Sequence, residues 1–179
     1  MMRVPTLRTA RLVLRPFDLS DAPRVRELAG VREVALNTLM IPHPYPEGAA
    51  EAWIGTHEEA RTQGNYMFAI DDGELAGAIG LHSNQDFDRA EIGYWLGKPY
   101  WGRGYATEAL GEMIRFGFQE LKLNRLYAGY FSRNEASGRV MEKNGMQREG
   151  VLRRHVKKWD EYVDLVYYGI LRSEWEKHS

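Results

Sequence analysis

Apolar and polar positions repeat with two different periods along this chain, and each change of period marks an element. At residues 11–17, Leu12 and Leu14 fall two apart on one face, which predicts a short strand. Asp18-Leu19-Ser20-Asp21 then supplies cap residues for a helix running towards Leu28. In residues 37–48, Pro42, Pro44 and Pro46 alternate with His43 and Tyr45; prolines so spaced cannot continue a helix, and they stiffen a loop. Residues 47–61 read as a second helix. Strands follow at 66–70 and 75–81, joined by the turn Asp71-Asp72-Gly73.

The next segment, Glu91-Ile92-Gly93-Tyr94-Trp95-Leu96-Gly97, is an aromatic strand with glycine inside it. Interior glycine weakens a strand and often marks a bulge or a place where a ligand approaches the backbone. It leads into Trp101-Gly102-Arg103-Gly104-Tyr105-Ala106-Thr107-Glu108-Ala109, where a long amphipathic helix opens. Ala106, Ala109, Leu110, Met113, Ile114, Gly117 and Leu121 recur at spacings of three and four, and this stripe reads as core. A strand at 126–131 precedes Asn134-Glu135-Ala136-Ser137, which opens a helix ending at Asn144-Gly145 with glycine at the expected cap. Residues 151–158 and 162–171 read as strands joined through Trp159-Asp160-Glu161, and 173–177 as a terminal helical turn. The aggregate is a mixed, strongly twisted α/β sheet with helices on both faces.

Composition narrows the picture. The 179 residues, 1–179, most simply form one domain with a sizeable core. No apolar run approaches the ~20 residues of a membrane span and no signal-peptide pattern opens the chain, so no membrane partner and a cytoplasmic location are expected. A formal net charge of −1 argues against direct nucleic-acid binding. With no cysteine, disulfides, thiolate metal sites and an acyl-cysteine intermediate are excluded. His43, His57, His82, His155 and His178 show no metal-ligand spacing, so no metal is expected.

The glycine turn carries the candidate chemistry. Backbone N–H groups at a helix start have no intrahelical partner, and the helix dipole makes that end partly positive. Glycines let a bulky anion come close, so residues 102–107 suit a phosphate or pyrophosphate, with Arg103 adding charge. The turn lacks the Gly-Lys-Ser/Thr end of a P-loop and the full dinucleotide fingerprint.

Strand, anion-binding turn, long helix, strand, helix, hairpin: this order, with the residues quoted, resembles the GNAT acetyltransferase superfamily, most closely its ribosomal-protein N-acetyltransferase (RimJ/RimL-like) branch. The resemblance runs from Leu7-Arg8-Thr9-Ala10-Arg11-Leu12 to Glu174-Trp175. It implies the GNAT fold and transfer of acetyl from acetyl-CoA, a cosubstrate, to an amine acceptor. Of the phosphate signature Gln/Arg-x-x-Gly-x-Gly/Ala, Gly104 and Ala106 match while Trp101 stands at the Gln/Arg position, an aromatic variant common in that branch. The implied coenzyme contacts are Ile92, Tyr94, Trp95 and Leu96 along the strand, Gly102, Arg103, Gly104, Tyr105, Ala106 and Thr107 in the turn, and Asn134 with Ser137. A sheet edge at 91–96 can pair with pantetheine amides as with a peptide.

Asn134 is explained both as an N-cap and as a ligand contact, and the two are compatible. In the Asn-x-x-Ser pattern the resemblance places Ser137 beside the departing thiolate as hydrogen-bond donor. Glu91 is the first candidate for the base and His82 on the preceding strand the second. The resemblance puts the acceptor rim at the 37–48 loop, with His43 and Tyr45, and at the last hairpin, where Asp160, Glu161 and Asp164 offer negative charge. Arg139 and Lys143 read either as ribose-phosphate contacts or as a solvated helix face. Of the acceptors, a protein N-terminal α-amine is expected first, then a polyamine, amino acid or aminoglycoside; a non-catalytic coenzyme-A sensor is the reading from another class. A homodimer stays open.

Overall fold

The computed structural model of this protein describes residues 5–177; His178 lies outside them. One eight-stranded sheet organises the chain, in the order β1-β2-β3-β4-β5-β6-β8-β7. The strands are β1 (Leu7–Arg8), β2 (Val13–Arg15), β3 (Asn65–Asp71), β4 (Leu75–Asn84), β5 (Arg89–Leu96), β6 (Arg125–Phe131), β7 (Gln147–Lys158) and β8 (Glu161–Leu171). Neighbours are antiparallel except β5 and β6, which run parallel. β2 is shorter than its apolar alternation because Pro16 offers no N–H to the ladder.

Helices cover both faces. On one, α5 (Tyr105–Arg115) and α6 (Glu135–Lys143) press Leu110, Met113, Ile114 and Met141, each at most 1% exposed, onto Ile79, Leu81, Ile92 and Leu126. Truncating any of these to alanine costs about 2–5 kcal/mol. On the other face, α1 (Ala22–Ala29) and α3 (Ala49–Gly55) pack Val25 and Ile54 against Ala69 and Leu75. The remaining helices are α2 (Arg32–Leu36), α4 (His57–Thr62) and α7 (Arg172–Trp175).

Three local expectations are corrected. The helix expected over 47–61 starts only at Ala49, because Gly48 has a left-handed backbone (φ +74°), and it breaks at Thr56. There the Thr56 hydroxyl and N–H both turn back on the Trp53 carbonyl, at 2.7 and 3.1 Å. The 106–121 helix ends as α5 at Arg115 and runs on as a wider π-helical turn, Phe116–Glu120, closed by Leu121 N–H on the Phe116 carbonyl. Ala106, at the head of the expected core stripe, is half-buried and lines a cavity instead.

No helix among the described residues is long and apolar enough to cross a membrane, and no three His, Cys, Asp or Glu side chains there are grouped to hold a metal ion.

His57 is wedged edge-on between Trp53 and Phe17, ring centroids 4.5 and 5.4 Å away, with both ring nitrogens buried and unpartnered among the described residues. Burial pushes its pKa down from 6.5 to about 4. The fold thus accepts the neutral ring only: stability present above pH 6.5 is lost as pH falls towards 4, where the unfolded chain binds the proton first. His57→Phe should flatten this part of the acid limb, read as the urea midpoint across that pH range.

Candidate active site

The site begins where β5 and β6 part. They pair at Arg89↔Arg125, Ala90↔Leu126 and Glu91↔Tyr127, and no further. Beyond Glu91, β5 stays with β4 as far as Leu96↔Gly77, while β6 stays with β8 as far as Phe131↔Leu165. Two parallel strands that separate in this way leave the β6-facing edge of β5, residues 92–96, outside the ladder. An edge of this kind pairs readily with an extended amide chain.

The first turn of α6 sits at the mouth of the fork. The Tyr94 hydroxyl lies 2.8 Å from Ser137 Oγ and 3.2 Å from the Ser137 carbonyl oxygen, tying β5 to α6. A Cβ on Gly138 would stand 2.7 Å from the Tyr130 hydroxyl, so glycine is what lets α6 lie against β6 at this point. Burial pushes the Tyr94 hydroxyl up to about 12, and it stays protonated. Asn134 occupies the N-cap position of α6, yet its amide makes no capping bond. The capping expectation is therefore corrected, and the side chain lines the cavity instead.

That cavity has a volume of about 440 Å³ and is walled by β5 from Ile92 to Leu96, the glycine turn, and the start of α6. Gly102 (φ +75°) and Gly104 (φ +80°) both adopt the left-handed conformation that glycine alone takes at little cost. Gly104 is the N-cap residue of α5, so unpartnered N–H groups of that helix open next to the cavity. Trp101 donates its indole N–H to the Leu96 carbonyl at 2.8 Å, which fastens the turn to the end of β5.

Arg11 clamps the turn from outside. Its guanidinium donates to the Arg103 carbonyl at 3.0 Å and, at 2.7 Å, to Glu108, which also accepts from Thr9 and the Arg11 N–H. Glu108 is held ionised below the usual carboxylate range: burial opposes this, but the Thr9 and Arg11 hydrogen bonds win. The acid in the first turn of α5 is thereby neutralised rather than left beside an incoming anion.

The expected residues divide into groups. Ile92, Tyr94, Trp95, Leu96, Gly102, Gly104, Tyr105, Ala106, Thr107, Asn134 and Ser137 line the cavity, and so do Arg139 and Lys143. Arg103 does not: its guanidinium lies over the Tyr100 ring at 5.4 Å. Glu91 stands at the fork itself, outside that lining, with His82 its direct partner on β4. Burial raises the Glu91 carboxyl above the usual range, and His82 partly offsets this.

His43 and Tyr45 do not line the cavity. His43 Nδ1 lies 3.1 Å from the Gly30 carbonyl, and Tyr45 packs on the α1/α3 cluster. Of the hairpin acids, Glu161 pairs with Arg133 at 2.8 Å, and Asp164 accepts from the Arg154 N–H; Asp160 is exposed.

Asn37 and Thr38, at the start of the expected 37–48 rim, line the cavity; sequence reasoning missed Val34 beside them and the tether that holds this wall. Lys158, 6% exposed, donates from Nζ to the Leu39 and Ile41 carbonyls at 3.3 and 2.8 Å, and Arg133 donates to the Leu36 carbonyl at 2.6 Å. The signal was faint: cations beside the hairpin turn and at the end of β6, more than ninety residues from their targets.

A forked sheet, a helix start short of partners and an open strand edge border one cavity, and comparison with known proteins gives the family. The acetyltransferase (GNAT) domain model matches residues 11–147, so the chain belongs to the GNAT acetyltransferase family and is an acetyl-CoA-dependent N-acetyltransferase. It is 32% identical over 168 residues to an uncharacterized N-acetyltransferase of Bacillus subtilis (strain 168), YnaD, covering 93% of this chain and 97% of that one. A putative ribosomal N-acetyltransferase of the same organism, YdaF, is 42% identical over 106 residues, 59% of this chain and 58% of that one. The solved structure of RimL, a ribosomal L7/L12 alpha-N-protein acetyltransferase in complex with coenzyme A, superposes with a TM-score of 0.86 at 19% identity, covering 93% of this chain and 98% of that one, a likeness of fold.

Gly104→Asp tests the turn. The substitution puts a carboxylate on a left-handed residue at the helix start, and a Cβ there already lies 3.3 Å from the Arg11 guanidinium. Acetyl-CoA should bind at least ~10-fold more weakly by calorimetry, about 1.4 kcal/mol. Unchanged affinity would remove the turn from the binding site.

Proposed function

We propose that this protein acetylates an α-amine, with a protein N-terminus of the ribosomal type as acceptor, by direct attack in a ternary complex. The observation that carries this reading is the fork: a cavity suited to the acyl donor opens along β5 from Ile92, the residue after a half-buried carboxylate at the point where the two strands part. Acetyl-CoA supplies the activated thioester. In this reading, N–H groups at the start of α5 hold the pyrophosphate and the edge of β5 holds the pantetheine amides, with Asn134 beside them.

In this reading the Tyr94 proton goes to Ser137 Oγ, 2.8 Å away, rather than to the Ser137 carbonyl at 3.2 Å, which leaves the Ser137 hydroxyl proton to stabilise the departing thiolate. Glu91, with a raised pKa from burial, takes the proton of the attacking amine directly or through water. An α-amine, pKa about 7.8, is partly neutral at neutral pH, whereas a lysine near 10.4 costs roughly 4 kcal/mol to deprotonate. A single carboxylate at the fork matches the easier acceptor. The similarity to the putative ribosomal N-acetyltransferase YdaF supports the same choice. A cytoplasmic location goes with this reading.

Thiol release from acetyl-CoA, measured against N-terminal peptides and small amines alongside calorimetric binding, tests the proposal. Release with α-amine peptides supports it; release confined to polyamines or aminoglycosides replaces the acceptor; tight binding without release from any acceptor makes the protein a sensor.

Two substitutions test the roles. Glu91→Gln should lower kcat by ~10²–10⁴-fold and abolish the acid limb of kcat/KM, which in the parent rises with pH through a value above the usual carboxylate range. Ser137→Ala should lower kcat while acetyl-CoA affinity holds; intact turnover would end its leaving-group role.

A further inference from the structure

The fork has a second side. Side chains directly across neighbouring strands share a face, so Glu91 shares its face with His82 on one side and Tyr127 on the other. Arg89 and Arg125, two residues back on β5 and β6, lie on that face too. Here the α1/α3 layer does not reach, and Arg89, Arg125, Tyr127, Glu149, Leu152 and Tyr167 line a groove of about 330 Å³. That volume falls in the ~300–1,000 Å³ range of small-ligand sites. None of these six residues lines the larger cavity.

The two arginines of the groove are in different states. Arg125 is matched to Glu149 by two hydrogen bonds, one of 2.6 Å, and Gly169 keeps the space open, since a Cβ there would meet Glu149 Oε1. Glu149 is consumed by this pair and held below the usual carboxylate range by it. Arg89 has no ion pair among the described residues. Its guanidinium lies over Phe87 at 5.2 Å and towards Tyr127 at 5.9 Å, stacking that orients a guanidinium while its N–H edge stays available. Burial and then the charge of Glu91 raise both the Tyr127 and the Tyr167 hydroxyls. Glu91 itself does not line the groove; it borders it, directly across the ladder from Tyr127.

We infer that this groove is the acceptor site and that it selects an amine carrying a carboxylate on the same molecule, the amine at Glu91 and the carboxylate on Arg89. The inference rests on the acetyl-transfer reading above and narrows its acceptor. Two residues along one strand span about 7 Å, so the two charges of the acceptor must lie a few bonds apart. An unpaired, ring-stacked guanidinium matches a carboxylate through two parallel hydrogen bonds, and it repels a polyamine. Tyr127 and Tyr167, ring centroids 6.0 Å apart, with Leu152, give the apolar wall between the two ends. Free amino acids and peptides with an acidic residue next to the N-terminus both carry this chemistry.

The test is kcat/KM by thiol release on the whole chain, using two matched pairs: an amino acid against its carboxamide, and an N-terminal peptide with Glu at its second position against the same peptide with Gln. At least one pair should favour the carboxylate by ~10- to 100-fold, the worth of a charge-assisted hydrogen-bond pair, and the pair that does so identifies the source. Arg89→Gln, checked for an unchanged melting transition, should bring that ratio towards one, and Arg89→Lys should fall between. A ratio of one in both pairs with transfer intact overturns this inference and leaves the acetyl-transfer reading standing. A preference that survives Arg89→Gln also overturns it. Absence of transfer to every acceptor, with acetyl-CoA bound or not, overturns both.

Discussion

Three residue pairs of parallel sheet carry the whole arrangement. At Arg89–Glu91 and Arg125–Tyr127 the two strands share a ladder, and immediately beyond it each follows its antiparallel neighbour away. A backbone edge inside a protein is ordinarily costly because its polar groups need partners. The fold leaves one open along β5 and sets beside it a helix start that is short of partners as well. Two deficits of hydrogen bonding, one extended and one compact, match a donor that has an amide-bearing arm and a pyrophosphate.

The side chains nearest the fork fix its shape more than they fill it. Tyr94 and Ser137 join one leaf of the sheet to the helix that covers the other, and Gly138 removes the methyl that would hold that helix off Tyr130. At the turn, Arg11 and Thr9 take up the Glu108 carboxylate, so the only acid in the first turn of α5 faces the amino-terminal segment. The charge near the helix start thus comes from backbone N–H groups and the dipole, a field whose geometry side-chain motion cannot alter. Glu91 belongs to the last residue pair of the shared ladder, at the point where the strands part.

Much of this was legible along the chain because it is local. Strand period, the Gly102/Gly104 turn and the Asn144-Gly145 ending depend on residues within a turn or two, and the structure has them near their expected places, while the stripe over α5 holds from Ala109 to Ile114. The resemblance to the GNAT family rests on the same local order of elements and on the residues quoted from it. Other features needed contacts the sequence does not display. The end of β5–β6 pairing is decided by competition with β4 and β8, the Glu108 clamp joins residues 97 apart, and Thr56 breaks a helix by a hydroxyl choice that periodicity does not register. Asn134 shows the limit of residue-type reasoning: it stands at the cap position and its amide does not cap. Arg89 drew no reading from the sequence; its face and its lack of an ion pair among the described residues follow from the strand pairing.

The cations that hold the wall of the cavity grip carbonyl oxygens of Leu36, Leu39 and Ile41 and none of the side chains there. A carbonyl belongs to every amino acid, so the path of this segment is specified while its lettering is not. Substitutions at Leu39 and Met40, both largely exposed, leave the two anchors intact. The rim of the site can therefore drift in sequence and present new surfaces to new acceptors without the loop having to be folded afresh, and diversification of this kind is open to any lineage that keeps Arg133 and Lys158.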